Sequence, residues 1–150
     1  MSKNLLNDSS KEEMIIRILQ LKEDSERQWG KMHVTEMFHH INASMKLILA
    51  ARSKPANPSV RKWFYKLIFF HALKKFPKNK PTRKDLDVVG SQLETNSFEE
   101  ERSELLRLVN QTQREKNMVV NHPYFGMLNN EECGKFLWLH LDHHLRQFGV

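Results

Sequence analysis

The sequence is poor in the residues that several common functional sites require. It has a single cysteine, Cys133, among 150 residues, which excludes an internal disulfide and suits a reducing compartment. It has only five glycines, and they form neither the glycine-rich loop that cradles phosphate groups nor a Gly-x-Ser-x-Gly nucleophile elbow. These absences exclude serine hydrolases and the usual nucleotide-binding sites.

Long hydrophobic runs are missing as well. Residues 1–8 lack the apolar segment and the small-residue cleavage site of a signal peptide, so we expect a cytoplasmic protein. The most apolar segment, residues 63–73, is interrupted by Lys66 and His71 and is too short to cross a bilayer of about 30 Å. We predict no membrane span. The segment is either a membrane-surface helix or a helix that flanks the core, and the pattern favours the second interpretation.

Positive charge exceeds negative charge by six, from 24 Lys and Arg against 18 Asp and Glu. Such a balance attracts nucleic acid, anionic lipid or an acidic substrate without selecting among them. Basic residues are concentrated from Lys74 to Lys84, where Phe76 is the sole aromatic residue. Since base-stacking aromatics and a docking motif are missing, we interpret this stretch as a solvated loop and expect no nucleic acid.

The spacing of apolar residues predicts long helices separated by polar breaks. The first helix begins at Ser10-Lys-Glu-Glu13, which has the spacing of a capping box, and extends to about Gln28. The second covers the apolar positions between Met37 and a point near Arg52. The third follows a second capping box at residues 97–100 and extends to about residue 120.

A fourth helix follows Asn129, a good N-cap residue, and ends at Gly149. The connection between helices two and three is too long for a bare loop, and Asn57-Pro58 is a favourable start for a short helix through Lys75. Strand signals are few. We therefore expect an all-α fold, a four-helix bundle with a long helical crossover between helices two and three, in one domain covering residues 1–150.

The predicted crossover helix is rich in aromatic side chains, namely Trp63, Phe64, Phe69 and Phe70. They provide more apolar surface than one bundle needs, which favours a homodimer. The same side chains could instead complete the core of a monomer.

Two histidines near the end of the chain, His140 and His144, are four residues apart. Side chains at this spacing share one helical face, with Cβ atoms roughly 5–6 Å apart, so both imidazoles can bind one cation. The predicted second helix supplies a third histidine. His40 fits better than His39, because Glu36 lies one turn before His40 on the same face. Three protein ligands and one vacant position are typical of a catalytic metal site.

Acidic and imidazole side chains close to these histidines are candidates for supporting roles. Glu36 could orient His40 or act as a general base, although the helix macrodipole also favours an acidic residue in the first turn. His122 precedes the fourth helix, where it either contacts the pocket or lies in solvent.

The fourth helix carries two further candidates. Gln147 shares the face of His140 and His144 and is expected to support them from outside the metal shell. His143 is rotated by about 100° from His144, so we expect it at the surface or facing a partner.

Four motifs resemble the DinB/YfiT-like superfamily of metalloenzymes, most closely a bacterial subfamily labelled as a domain of unknown function. The resemblance covers the chain from about residue 10. It implies a four-helix bundle with one metal ligand on helix two and a His-x-x-x-His pair on helix four, and by position these ligands fall on His40, His140 and His144. The motifs are Trp29-Gly-Lys-Met32, Met37-Phe-His-His40, His122-Pro-Tyr-Phe-Gly126 and His140-Leu-Asp-His-His-Leu-Arg-Gln-Phe-Gly149.

Two positions depart from the pattern of this superfamily. Relatives usually carry Thr or Ser where this chain has His33, so the standard cap of helix two is missing unless Thr35 or a ring nitrogen replaces it. Relatives often carry Trp where this chain has Cys133, seven residues before His140 and on its face. A small side chain there could enlarge the pocket, but we favour a buried hydrophobic role for this cysteine.

We expect a metal-dependent enzyme that acts on a small molecule, perhaps best described as thiol S-transferase-like or hydrolase-like. A divalent ion on neutral histidines lowers the pKa of bound water toward about 7 or activates a thiolate, and the resemblance implies thiol S-transferases, isomerases and hydrolases as relatives. Zinc or nickel is expected, with iron and manganese as further candidates. The alternative is a non-catalytic helical-bundle binding module with a structural metal or a metal-free histidine cluster.

Overall fold

The computed structural model describes residues 3–51, 59–72, 75, 76, 78 and 84–150, and these residues are mostly helical. Their α-helices are α1 (Asp8–Gln20), α2 (Val34–Ala50), α3 (Val60–Leu67), α4 (Phe98–Thr112) and α5 (Asn130–Gln147). A π-helix, Ile68–Ala72, continues α3, and a short 3-10 helix covers Lys84–Leu86. The strands β1 (Val120–His122) and β2 (Gly126–Leu128) form an antiparallel pair. None of these helices combines the length and apolar character needed to traverse a bilayer.

The helix α1 is shorter than the sequence predicts and begins earlier. Its N-cap is Asn7 rather than the predicted serine, and it ends at Gln20 rather than near Gln28. The chain turns after α1, because the backbone N–H of Lys22 donates to Ser25 Oγ at 2.9 Å. Hydroxyl side chains compete with the helical hydrogen bonds in this way and end helices.

The helix α4 is also shorter than expected, and a hairpin follows it. It ends at Thr112, whose hydroxyl donates to the Leu108 carbonyl at 2.9 Å, rather than near Val120. Val120 instead pairs with Leu128 in the β1–β2 ladder. Gly126 adopts a φ of +68° at the turn, a conformation that costs glycine little. A Pro- and Gly-containing turn between two apolar segments is the sequence signal for this hairpin.

The starts of α4 and α5 are confirmed as capping boxes. Ser97 Oγ accepts from the Glu100 N–H at 3.4 Å, and the Glu100 carboxylate accepts from the Ser97 N–H at 3.0 Å. Asn129 and Glu132 exchange the same two bonds at 3.0 and 2.9 Å. These reciprocal bonds satisfy backbone donors that the first turn of a helix leaves unpaired.

The crossover between α2 and α4 contains a short helix, as expected. Ser59 is its N-cap and accepts from the Lys62 N–H at 3.5 Å. The continuous α-helix predicted through Lys75 is instead α3 followed by the π-helix. The predicted helix start at Asn57-Pro58 and the predicted end of α2 near Arg52 lie outside the described residues.

One cluster of buried apolar side chains joins the helices. α2 packs against α4 and α5, and α1 packs against the same two helices. Each large apolar side chain that becomes buried contributes roughly 1.5–3 kcal/mol. The crossover aromatics divide between this core and the surface, since Phe69 and Phe70 are buried whereas Trp63 and Phe64 are exposed. The contact between α2 and α5 brings their histidines together.

Candidate metal centre

The three predicted ligands, His40 of α2 and His140 and His144 of α5, form one cluster. One ring nitrogen of each lies within 4.8 Å of the other two. Nε2 of His140 lies 3.2 Å from Nε2 of His40 and 3.1 Å from Nε2 of His144. The rings meet edge to face, with centroids 4.8 to 5.2 Å apart. The three Nε2 atoms therefore converge between the two helices.

Two of the rings are oriented by oxygen atoms at their other nitrogen. His40 Nδ1 lies 2.8 Å from the carbonyl oxygen of Leu86, and His144 Nδ1 lies 3.1 Å from Oε1 of Gln147. Because these oxygens can only accept, each Nδ1 carries a proton and donates it. In the neutral ring Nε2 then holds a lone pair directed into the cluster, which is the tautomer that a metal ligand requires.

Gln147 is held in place from the other side of its amide. Its Nε2 donates to the Trp29 carbonyl at 2.8 Å, which leaves Oε1 directed at His144. Gly30 allows this approach, since it has a φ of +86° and a Cβ at this position would lie 2.0 Å from the Gln147 amide nitrogen. The Trp-Gly motif therefore positions the side chain that orients one candidate ligand.

Ser44 decides the protonation of the third ring. Its Oγ lies 3.5 Å from Nδ1 of His140, and a hydroxyl can accept or donate. If Ser44 accepts, all three Nε2 atoms present lone pairs that repel one another and that a cation would neutralise. If Ser44 donates, Nε2 of His140 carries a proton and can bond to a neighbouring ring without a metal. The geometry is compatible with both states.

The donor set fits a divalent transition-metal ion. Imidazole nitrogens bind such ions at about 2.0–2.1 Å, which in a tetrahedral arrangement separates neighbouring nitrogens by about 3.3 Å. The separations of 3.1 and 3.2 Å from His140 Nε2 are close to this value. A set made only of imidazole nitrogens favours zinc, nickel or iron over magnesium or calcium, which prefer oxygen ligands.

Burial keeps the three imidazoles neutral. His40 and His144 are buried and His140 is half-buried. Burial lowers the pKa of His40, and it holds the pKa values of His140 and His144 well below the usual histidine value. The neighbouring rings lower these pKa values further, because each would repel a second positive charge. Neutral imidazole is the form that binds metal.

Aromatic side chains surround the exposed side of the cluster. Phe136 stacks on His140 with ring centroids 5.9 Å apart and an interplanar angle of 23°. Phe76, from the crossover, lies 5.9 Å from the rings of both His140 and His143. His122 contacts Phe136 at 5.1 Å, so it belongs to this aromatic wall rather than to the group of three nitrogens. The site is therefore bounded by apolar rings.

Two other histidines and the predicted general base lie near the start of α2. Oε2 of Glu36 accepts from the backbone N–H of His33 at 2.6 Å, which gives Glu36 the capping role expected in a first helical turn. His33 occupies the N-cap position. His39 faces away from His40, and its Nδ1 lies 2.8 Å from Oε1 of Glu101. A general-base role for Glu36 stays a prediction.

Two expectations about α5 have opposite outcomes. Cys133 is fully buried, and burial raises the pKa of its thiol to about 12, so the prediction of a buried hydrophobic role is confirmed. The prediction that His143 lies at the surface or faces a partner is wrong for this chain. Its half-buried ring packs 5.0 Å from His144 and 6.2 Å from Trp29, because α5 is covered on that side as well.

The sequence does not reveal every group at the site. The Leu86 carbonyl that orients His40 has no sequence signal, since every residue carries such an oxygen. Ser44 does have a signal, because it follows His40 by four residues and shares its face. Phe136 precedes His140 by the same spacing.

Comparison with known proteins gives a family but no individual relative. No curated protein and no solved structure matches the chain. The model of a family described as protein of unknown function (DUF1569) matches residues 1–149. This match includes α1 to α5 and all three clustered histidines. The chain therefore belongs to the DUF1569 family.

Proposed function

We propose that the protein is a metal-dependent enzyme, thiol S-transferase-like or hydrolase-like, that binds its ion through His40, His140 and His144. The ion would keep one coordination position open for a small molecule. A single observation supports this function, namely three Nε2 atoms that converge while two of the Nδ1 atoms donate outward. The proposal includes a DinB/YfiT-like four-helix bundle, a bacterial origin and a cytoplasmic location.

Each part of the site has a physical task in this proposal. A divalent ion on neutral imidazoles acts as a Lewis acid that lowers the pKa of a bound water or thiol. The Leu86 carbonyl and Gln147 hold two of the rings in the binding tautomer. Phe76 and Phe136 exclude bulk water beside His140, which strengthens electrostatic interactions there. Zinc and nickel suit these nitrogen donors, as do iron and manganese.

The second candidate is a non-catalytic binding module. It takes its support from Ser44, whose hydroxyl can donate to Nδ1 of His140 and so permit a hydrogen-bonded cluster without metal. A structural ion with no vacant position is the other form of this alternative.

Elemental analysis of tag-free protein is the first test. We expect stoichiometric zinc, nickel, iron or manganese in the natural chain and loss of that ion in the His140→Ala variant. His33→Ala is the matched control, because His33 is exposed and lies outside the cluster. Equal metal content in natural chain and His140→Ala would exclude the three-histidine site.

Cobalt substitution then separates enzyme from module. A vacant position on cobalt lets an added thiol or azide bind and change the visible spectrum. We expect such a change, and we expect a thiol to displace azide. A cobalt spectrum that neither ligand alters would favour the structural ion.

A further inference from the structure

The positive charge of the chain is confined to the crossover. Residues 52–84 contain eleven Lys and Arg and no Asp or Glu. The rest of the chain contains 13 Lys and Arg against 18 Asp and Glu and is therefore net acidic. The excess of six positive charges thus arises from one connection between two helices, and it surrounds α3.

The helix α3 directs its apolar side chains outward. Four of them recur at intervals of three and four residues and so share one face, which we call the α3 stripe. A helix on a protein surface usually directs this face towards the core. The stripe consists of Val60, Trp63, Phe64 and Leu67, with exposed fractions of 85%, 61%, 54% and 41%.

The opposite face of α3 is polar and packs against the protein. Nζ of Lys66 donates to the Met127 carbonyl at 2.8 Å and pairs with the Glu132 carboxylate at 2.7 Å. The side chain of Lys62 lies against Gly126. These contacts fix the rotation of α3, so the stripe cannot turn inward unless they break.

We propose that the α3 stripe docks on an anionic phospholipid surface. Helices that lie in the membrane interface carry aromatic and aliphatic side chains on one face and basic residues around it. Trp and Phe rings enter the headgroup region, while nearby Lys and Arg pair with lipid phosphates. Arg61 and Lys75 are exposed beside α3 and supply such charges. This inference is independent of the metal centre.

Charge and chemistry distinguish this surface from two others. A two-fold homodimer through the stripe, as the aromatic residues alone suggested, would place two strongly basic crossovers against each other. Nucleic acid would accept the positive charge, but its recognition relies on polar contacts to phosphates and bases. Val60 and Leu67 have no counterpart there, whereas lipid acyl chains accommodate both.

Vesicle co-sedimentation of the full chain is the test. Vesicles of equal parts phosphatidylcholine and phosphatidylserine should bind the protein, and pure phosphatidylcholine should bind it at least tenfold more weakly. High salt should weaken binding because it screens the lipid charge. The Trp63→Ser, Phe64→Ser double variant should lose at least tenfold in affinity, since two exposed rings no longer become buried.

The matched control lies on α1. Ile16 and Leu19 are 58% and 54% exposed, close to the values of Trp63 and Phe64, and they lie in a net acidic part of the chain. The Ile16→Ser, Leu19→Ser double variant should bind vesicles like the natural chain. Circular dichroism of both double variants shows whether each retains its helices.

Three results would overturn the proposal. The first is the absence of co-sedimentation with anionic vesicles, and the second is equal binding by the stripe variant and the natural chain. The third is a dimer in sedimentation velocity, or an oligonucleotide complex, that the stripe variant abolishes while vesicle binding is absent. Replacement of Trp63 by Phe should retain binding but remove most of the fluorescence blue shift that vesicles cause.

Discussion

Gln147→Leu is the substitution that most directly tests how the site is built. The side chain of Gln147 is 4% exposed, accepts from His144 Nδ1 at 3.1 Å and donates to the Trp29 carbonyl at 2.8 Å. Leucine is close to glutamine in size but offers neither bond. The variant therefore leaves His144 free to rotate or to change tautomer, while His40 and His140 keep their own contacts.

The expected loss can be estimated from these contacts. Removal of a group that orients a metal-binding histidine typically weakens metal affinity by about 10–100-fold, or about 1.4–2.8 kcal/mol. The orphaned Nδ1–H and carbonyl also lower the free energy of unfolding by about 1–3 kcal/mol in the metal-free protein. Gln147→Glu should recover part of the affinity, because a carboxylate accepts from Nδ1 and makes the imidazole a stronger ligand.

Competition with a chromophoric chelator measures zinc affinity, and urea unfolding of the metal-free protein measures stability. Gln113→Leu serves as the control, because Gln113 lies beyond the end of α4, where its amide bonds to the exposed Asp8. Zinc affinity in Gln147→Leu equal to that of the natural chain would refute the idea that Gln147 orients a ligand. A loss of stability without a loss of affinity would restrict Gln147 to a packing role.

Three further predictions concern single residues. Gly30→Ala should lower stability by at least about 1 kcal/mol in urea unfolding, because a side chain at φ +86° is strained and its Cβ would displace Gln147; normal stability and zinc affinity would contradict this. The Cys133 thiol, whose pKa burial raises to about 12, should not react with a disulfide reagent at about pH 8 until urea unfolds the chain; rapid reaction of the native chain would show that the thiol is accessible. The hydrogen bond from Arg107 lowers the pKa of Glu104 to about 2 from 4.5. Its contribution to stability, below about 1 kcal/mol for such a surface pair, should be present above pH 4.5 and disappear as the pH falls towards about 2. Unfolding of natural chain and Glu104→Gln at several pH values checks this, and a difference that grows on acidification would have the wrong sign.

Local sequence patterns predicted where helices begin better than where they end. The boxes at Ser97 and Asn129 are confirmed because all their partners lie within one helical turn. The ends of α1 and α4 were placed too late, since they depend on competing contacts. One of these joins the Gln28 N–H to the carbonyl of Gln147 at 2.7 Å, and no local pattern contains such a bond.

For the candidate site, the pair on α5 was predictable from the sequence and its surroundings were not. A spacing of four residues places His140 and His144 on one face of any α-helix, whatever surrounds it. The choice of His40 over His39 rested on helical phase alone. His39 bonds to Glu101 on α4, and that contact exists only because α2 packs between α4 and α5.

The sequence by itself determined the features that repeat over one or two helical turns, namely the helical character, the caps and the paired histidines. Only the tertiary structure decided which nitrogen of each ring faces the centre, because the Leu86 carbonyl and Gln147 Oε1 arrive from other parts of the chain or another turn. It also decided that the α3 stripe faces outward, since Lys66 bonds to Met127 and Glu132 on distant elements. Side-chain periodicity is a short-range property, whereas the direction of a face depends on which long-range contacts satisfy its polar groups.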